Sequence, residues 1–287
     1  MTNSRKNIAL IGTGLMGMGI GYSLLRAGFN LYVKPHKNRE NPELLAEAGA
    51  TICENNADLV KECAYIVICV DRWESVQKLF FEDSALIDCL HGGHFVIDCT
   101  TSHPDFTSKL YDSLCEKGIR YVDAPLTRTP KEAHEGRLNS LVGSVDQTTF
   151  DEAQTVLSAF CENIFHVGPV LTGQKIKLLN NFVTLSGLAI AAEAINASNR
   201  LGIEISTLNA VFSKGGAYTP AFQALIKYIV DGENNLQFSL ANALKDLQYY
   251  QDITSGDPSL VEGFLDVYGN TIQKKGKSKL LTELIYT

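Results

Sequence analysis

The 287-residue chain lacks the cysteine spacing of a disulfide or metal framework: its seven cysteines, at 53, 63, 69, 89, 99, 115 and 161, are odd in number and form no C-x-x-C. Several lie inside apolar, strand-like runs, which points to buried free thiols in a reducing compartment. No group of potential ligands is spaced to bind a metal, and none is expected. Basic charge is in deficit, with 25 Lys and Arg against 32 Asp and Glu and a net charge of −7. That balance excludes a general affinity for nucleic acid or an anionic membrane, while leaving room for a local cationic pocket. No uninterrupted apolar run is long enough to span a bilayer, and the start, MTNSRKNIALIGTG, enters a strand with no apolar segment and cleavage site before it. A soluble, cytoplasmic protein is expected. Repeats, low-complexity tracts and Pro/Gly/Ser-rich linkers are missing too, and 45% hydrophobic content with 20% charge suits one large or two ordinary folded domains.

The first half alternates short β-rich runs with helical segments. Asn7–Ile11, Asn30–Lys34, Tyr65–Val70, Phe95–Cys99 and Arg120–Ala124 are expected strands, with Leu138–Val142 and Phe165–Val167 extending the sheet. Their nearly continuous apolar character suits strands covered on both faces, the α/β doubly wound parallel sheet. From Thr172 the texture changes: some thirty residues without proline, rich in Ala, Leu and Ile, predict one long helix, followed by helical segments near 206–213, 220–231, 238–253 and 258–275. The boundary is placed where Gly168 and Pro169 precede the long helix, giving an α/β domain over 1–168 and an all-α domain over 169–287.

Gly12, Gly14 and Gly17 form G-x-G-x-x-G between the first strand and an apolar helical run. The three glycines suit a tight turn, close approach of backbone to a pyrophosphate, and close packing of helix on strand, with the helix N-terminus stabilising the phosphate charge. This Rossmann-type fingerprint, with Leu15 and Met16 inside it, predicts dinucleotide binding. NAD-binding folds of this type carry an acidic residue after the second strand, but here no carboxylate occurs before Glu40. Lys34, Lys37 and Arg39 make that edge cationic instead, which favours NADP over NAD, and His36 between them joins Lys34 and Lys37 as an expected coenzyme contact. Val70, at the end of a later strand, is added to the expected coenzyme contacts.

On the long helix, Lys177, Asn180, Asn181 and Thr184 fall at i, i+3, i+4 and i+7, one polar stripe on an apolar helix. Such a stripe serves either an interhelical hydrogen-bond network or chemistry. A hydride acceptor needs a proton donor for the nascent alkoxide, and a partly desolvated lysine can give and retake that proton. Thr127-Arg128-Thr129 follows an expected strand at the ligand-binding edge of an open α/β sheet, where an arginine between two hydroxyls suits an anion. Thr100-Thr101-Ser102-His103-Pro104 follows another strand at the same edge.

These motifs, in this order and over nearly the whole chain, resemble the β-hydroxyacid dehydrogenase family, of the 3-hydroxyisobutyrate dehydrogenase type. GTGLMG is similar to its coenzyme loop, DCTTSHP to its D-x-S-T-x-x-P, DAPLTRTPKEAHEGRLNSLVGS to its substrate segment, GQKIKLLNN to its lysine helix, and Lys245-Asp246-Leu247 to a late motif near the nicotinamide. The resemblance implies an NAD(P)-dependent oxidoreductase acting on a small anionic hydroxy acid or aldehyde. Lys177 would be the general acid in reduction and base in oxidation, Asn181 would hold the substrate or the lysine, and Thr101 and Lys245 would be nicotinamide-side contacts. It also implies that the long helix joins the domains and takes part in a homodimer or homotetramer.

One departure stands out: Thr127-Arg128-Thr129 replaces the family's Ser-Gly-Gly, and is similar to the Gly-Arg-Thr of the sulfolactaldehyde reductase branch, with Asn180 and Thr184 at the accompanying helix positions. The acid group could then be a carboxylate or a sulfonate. Among related families, 6-phosphogluconate dehydrogenase carries His where this chain has Asn180, and imine reductases lack the lysine that stands here as Lys177. The alternative from another class is a dinucleotide-binding regulatory protein without catalysis.

Overall fold

The computed structural model describes residues 6–36, 39–82, 85–254 and 260–285, which fall into two compact units that part between Lys177 and Leu178. In the first unit, β1 (Asn7–Ile11), β2 (Asn30–Val33), β3 (Thr51–Ile52), β4 (Tyr65–Ile68), β5 (Phe95–Asp98) and β6 (Arg120–Asp123) form a parallel array in the order β3-β2-β1-β4-β5-β6. The strand β8 (Leu138–Gly143) closes it antiparallel to β6 and to the two-residue β7 (Leu126–Thr127), and β9 (Cys161–Gly168) pairs with β8.

The apolar runs cover both faces of this sheet. Ile8 and Leu10 of β1 join a core with Val33, Val67 and Ile97, while Ala9 and Ile11 join a second core with Ile66, Ile68 and Val96 on the other side. Period-two alternation thus sends neighbouring apolar residues into opposite layers. The helices α1 (Leu15–Arg26), α2 (Glu40–Glu47), α3 (Asn56–Lys61), α4 (Trp73–Phe81), α5 (Leu86–Cys89), α6 (Pro104–Glu116), α7 (Pro130–Glu135) and α8 (Gln147–Leu157) connect the strands. The order reverses about β1, which lies between β2 and β4, so the C-terminal ends of β1 and β4 frame the crevice where such sheets bind ligands.

The long helix is α9, Thr172–Arg200, and its last residue before the second unit is Lys177. The family-sized boundary read from sequence at 168/169 lies just ahead of this helix. Its first two turns cluster with the α/β unit because they are tied to β6 through Asp123. The second unit continues α9 with α10 (Ile205–Phe212), α11 (Pro220–Asp231), α12 (Leu240–Ile253) and α13 (Val261–Lys275), so it is helical as expected. Leu185, Leu188, Ala189, Ala192 and Ile195 present one face of α9 to Phe222, Leu225, Leu247 and Tyr268. By length and composition α9 is apolar enough to cross a membrane, which differs from the sequence expectation; half of its most apolar stretch is buried inside the fold.

Candidate functional site

The glycine loop shows why its three glycines are not equivalent. A Cβ on Gly12, whose φ is +100°, would lie 2.2 Å from the Cys69 carbonyl oxygen, and one on Gly17 would lie 1.9 Å from the Gly12 carbonyl oxygen. Gly12 therefore lets β1 turn against the end of β4, and Gly17 lets α1 close on that turn. A Cβ on Gly14 would meet nothing within 4 Å. Gly14 is the N-cap of α1, and no side chain caps the first-turn N–H groups of that helix. The residues fit a dinucleotide pyrophosphate: a cradle closed behind by Gly12 and Gly17 and open at Gly14. Leu15 is exposed beside it, whereas the Met16 side chain packs into the core. Asn41 of α2 braces the loop by donating to the Thr13 carbonyl at 2.6 Å, a contact no sequence motif announced.

Val70 follows β4 and lies against Gly12, its Cγ1 3.0 Å from the position of a Gly12 Cβ. Its N–H donates to the Thr100 hydroxyl at 3.2 Å, which ties the β4 and β5 loops together next to Thr101. His103 caps α6, its Nδ1 accepting from the Asp105 N–H at 3.2 Å, and Pro104 occupies the first turn. At the edge of β2, Lys34 Nζ donates to Asn56 Oδ1 at 2.6 Å, and burial lowers its pKa. His36 is exposed, and Lys37 lies outside the described residues. Arg39 is exposed and paired with Glu54 at 2.5 Å and Glu43 at 3.4 Å, so its charge is already countered.

The acid residues behind this edge were not singled out from sequence. Asp98 and Asp123 end β5 and β6 in register and are fully buried. Burial pushes Asp98 up to about 6, although the Thr100 N–H, at 2.9 Å, and the Tyr121 hydroxyl, at 3.3 Å, favour its ionised form. Burial pushes Asp123 up to about 7 against two backbone donors, Leu171 N–H at 2.8 Å and Gln174 N–H at 2.9 Å. Asp123 thereby caps the N-terminus of α9 and fixes the helix three residues before Lys177 begins its own turn.

Thr127 ends β7, Arg128 and Thr129 lead from it into α7, and each of the three side chains already has a protein partner. The Thr127 hydroxyl accepts from Asn139 Nδ2 at 3.0 Å. The Thr129 hydroxyl and N–H both reach Glu132, a capping box that starts α7. Arg128 Nη1 donates to the Glu162 carboxylate and to the Arg137 carbonyl. Arg128 also has φ +80°, the left-handed backbone that a glycine adopts freely, so Ser-Gly-Gly and Thr-Arg-Thr fit one turn shape.

Within the second unit the polar stripe divides. Asn181 is buried and donates to Asp246 Oδ2 at 2.6 Å, while Asn180 and Thr184 are exposed. Asn180 Nδ2 donates to Asn181 Oδ1 at 3.1 Å, and the Thr184 hydroxyl bonds back to the Asn180 carbonyl at 2.9 Å. Lys245 is buried; its Nζ lies 3.1 Å from Asp246 Oδ1, as an ion pair without hydrogen-bond alignment, and 5.2 Å from the Tyr249 ring centroid. Asp246 thus links Asn181 and Lys245, two residues singled out from sequence, although it was itself quoted only as part of a motif. Among the described residues no three His, Cys, Asp or Glu side chains gather as a metal site.

Residues 7–168 match the family model for the NAD-binding domain of 6-phosphogluconate dehydrogenase, and residues 172–256 match that for the NAD-binding region of NADP-dependent 3-hydroxyisobutyrate dehydrogenase. The chain is 28% identical over 241 residues to 2-(hydroxymethyl)glutarate dehydrogenase of Eubacterium barkeri, covering 84% of this chain and 79% of that protein. It is 27% identical over 252 residues to 3-sulfolactaldehyde reductase of Escherichia coli K12, covering 86% and 83%. The solved structure of Psf3 in complex with NADP+ and 2-OPP has the same fold, with a TM-score of 0.87 at 23% identity over 96% of this chain and 98% of that one.

Proposed function

The chain belongs to the NAD(P)-dependent β-hydroxyacid dehydrogenase family, and on that premise we propose that it interconverts a small acidic semialdehyde and its hydroxy acid, with NADP(H) preferred and Lys177 as the general acid or base. The observation that carries this reading is the occurrence, in one compact unit, of an open Gly14 cradle and a half-buried lysine on a helix start pinned by a buried carboxylate. When bound, the nicotinamide supplies or accepts the hydride. Lys177 Nζ gives a proton to the substrate oxygen in reduction and takes it back in oxidation. Thr101 and Val70 would bound the coenzyme on the β4–β5 side, with Lys245 as a further contact to it.

The absence of a carboxylate between β2 and Glu40 and the cation at Lys34 support NADP: a 2′-phosphate would draw the ammonium away from Asn56. Arg128 supports an anionic substrate, whose acid group would meet the guanidinium beside Glu162, which bonds Nη1. A sulfonate or a carboxylate satisfies this requirement, and Asn180, Asn181 and Thr184 are the helix positions proposed to meet the rest of the substrate. A stripe of exposed apolar residues on α9, Leu179, Val183 and Ile190, supports a homo-oligomer.

The test is oxidation of NADPH and of NADH, separately, with sulfolactaldehyde and with carboxylate semialdehydes, by wild type, Lys177→Ala and Lys34→Ala. Lys177→Ala should lose on the order of 10²–10⁴-fold in turnover while still binding coenzyme. Lys34→Ala should lose the preference for NADPH. Unchanged turnover in Lys177→Ala overturns the proton-transfer role, and binding of coenzyme without turnover of any of these substrates by wild type would favour a regulatory dinucleotide-binding protein.

A further inference from the structure

Gln174 lies in the first turn of α9, three residues before Lys177, and is fully buried. A buried primary amide must find both donors and acceptors, whereas a leucine or methionine would fill the same volume without that demand. Gln174 finds them in the loop after β5. Its Oε1 accepts from the Ser102 N–H at 2.9 Å and its Nε2 donates to the Thr100 carbonyl at 2.7 Å. One side chain therefore grips the main chain immediately before and immediately after Thr101. The Ser102 hydroxyl is buried with no hydrogen-bond partner, so it adds nothing to the hold. At its own backbone, Gln174 is anchored by Asp123 Oδ2 at 2.9 Å. A Cβ at the preceding residue, Gly173, would lie 2.3 Å from the Leu141 carbonyl and 2.7 Å from Asp123 Oδ2, so the helix start is seated directly on β8 and β6.

We propose that Gln174 is a positioning residue: its buried amide, bonded to Thr100 and Ser102, sets the register between the Thr101 loop and the helix turn that carries Lys177. The role rests on Thr101 bounding the coenzyme and Lys177 moving the proton. Both groups must be held to a fraction of an ångström for hydride and proton transfer to occur together, and the amide is the element that couples their frames.

The experiment compares wild type, Gln174→Leu, Gln174→Glu and Lys177→Ala by NADPH affinity, kcat and KM across pH, and thermal midpoint. Gln174→Leu should lower kcat by about 10- to 100-fold, the scale of a 1 Å misplacement, with substrate KM changed little and NADPH Kd raised several-fold. In Gln174→Glu, a protonated carboxyl can still donate to Thr100 and accept from Ser102, but an ionised one cannot donate. Its kcat and NADPH affinity should therefore recover toward wild type as pH falls, a dependence that Gln174→Leu lacks. A folded Gln174→Leu enzyme with wild-type kcat and NADPH Kd overturns the proposal, as does a Gln174→Glu enzyme whose affinity ignores pH. If Lys177→Ala proves fully active, the proton-transfer reading fails by itself, and the NADPH affinities still decide the grip on the Thr101 loop.

Discussion

Asn181 donates its side-chain amide to Asp246 at 2.6 Å, while the other oxygen of the same carboxylate lies 3.1 Å from Lys245 Nζ. A carboxylate that is 1% exposed thus holds a neutral amide from α9 and a cation from its own helix. Asp246→Asn removes the counter-charge of a lysine whose side chain is 10% exposed. Breaking one side of a buried pair costs about 3–5 kcal/mol. Urea unfolding should show that loss, and Asp246→Asn combined with Lys245→Met should regain part of it; a variant as stable as wild type would contradict the arrangement.

Asp98 and Asp123 set a pH dependence of stability. Their folded-state values, pushed up to about 6 and about 7, lie above the unfolded carboxylate value of about 4. The folded chain therefore binds more protons than the unfolded chain in the range between these values. Their contribution is fully present below about pH 4 and is lost as pH rises through the folded values. Asp98→Asn keeps an acceptor for Thr100 and a partner for the Tyr121 hydroxyl without titrating. Unfolding free energies measured from pH 4.5 to 7.5 should show wild type losing stability relative to Asp98→Asn with rising pH.

Gly14 and Gly17 should separate binding from folding. Gly14→Ala meets open space and should stay within about 0.5 kcal/mol of wild type while weakening coenzyme binding. Gly17→Ala forces a Cβ against the Gly12 carbonyl and should cost about 1–3 kcal/mol as overpacking. Thermal midpoints and NADPH titration of the two variants check both statements.

Arg128→Gly should be no less stable than wild type. Left-handed backbone costs a non-glycine residue about 1–2 kcal/mol, and a partly exposed ion pair such as Arg128–Glu162 contributes about 0–1 kcal/mol. The same variant should raise KM for the anionic substrate and leave coenzyme affinity unchanged. A KM equal to wild type would remove Arg128 from substrate recognition.

Strand edges were partly hidden in the sequence. The runs expected to reach Lys34, Val70, Cys99 and Ala124 end one or two residues sooner, at Val33, Ile68, Asp98 and Asp123. Residues such as Cys99 and Ala124 stay buried after leaving the ladder, so composition cannot separate strand from packed loop. The two-residue strands Thr51–Ile52 and Leu126–Thr127 are too short for a periodic signal, and the polar start of Cys161–Gly168 hid the first half of β9.

The sequence by itself determined the doubly wound sheet, the glycine loop and the long helix, because two-sided burial, helix periodicity and the G-x-G-x-x-G turn are local patterns that one stretch of chain carries alone. Tertiary structure alone decided which polar residues are already partnered. Arg128 meets Glu162, Gln174 meets Thr100 and Ser102, and Asn181 meets Asp246 across separations of 34, 74, 72 and 65 residues. No local pattern encodes such contacts: a buried amide or carboxylate is satisfied by whichever distant backbone or side chain the fold brings to it.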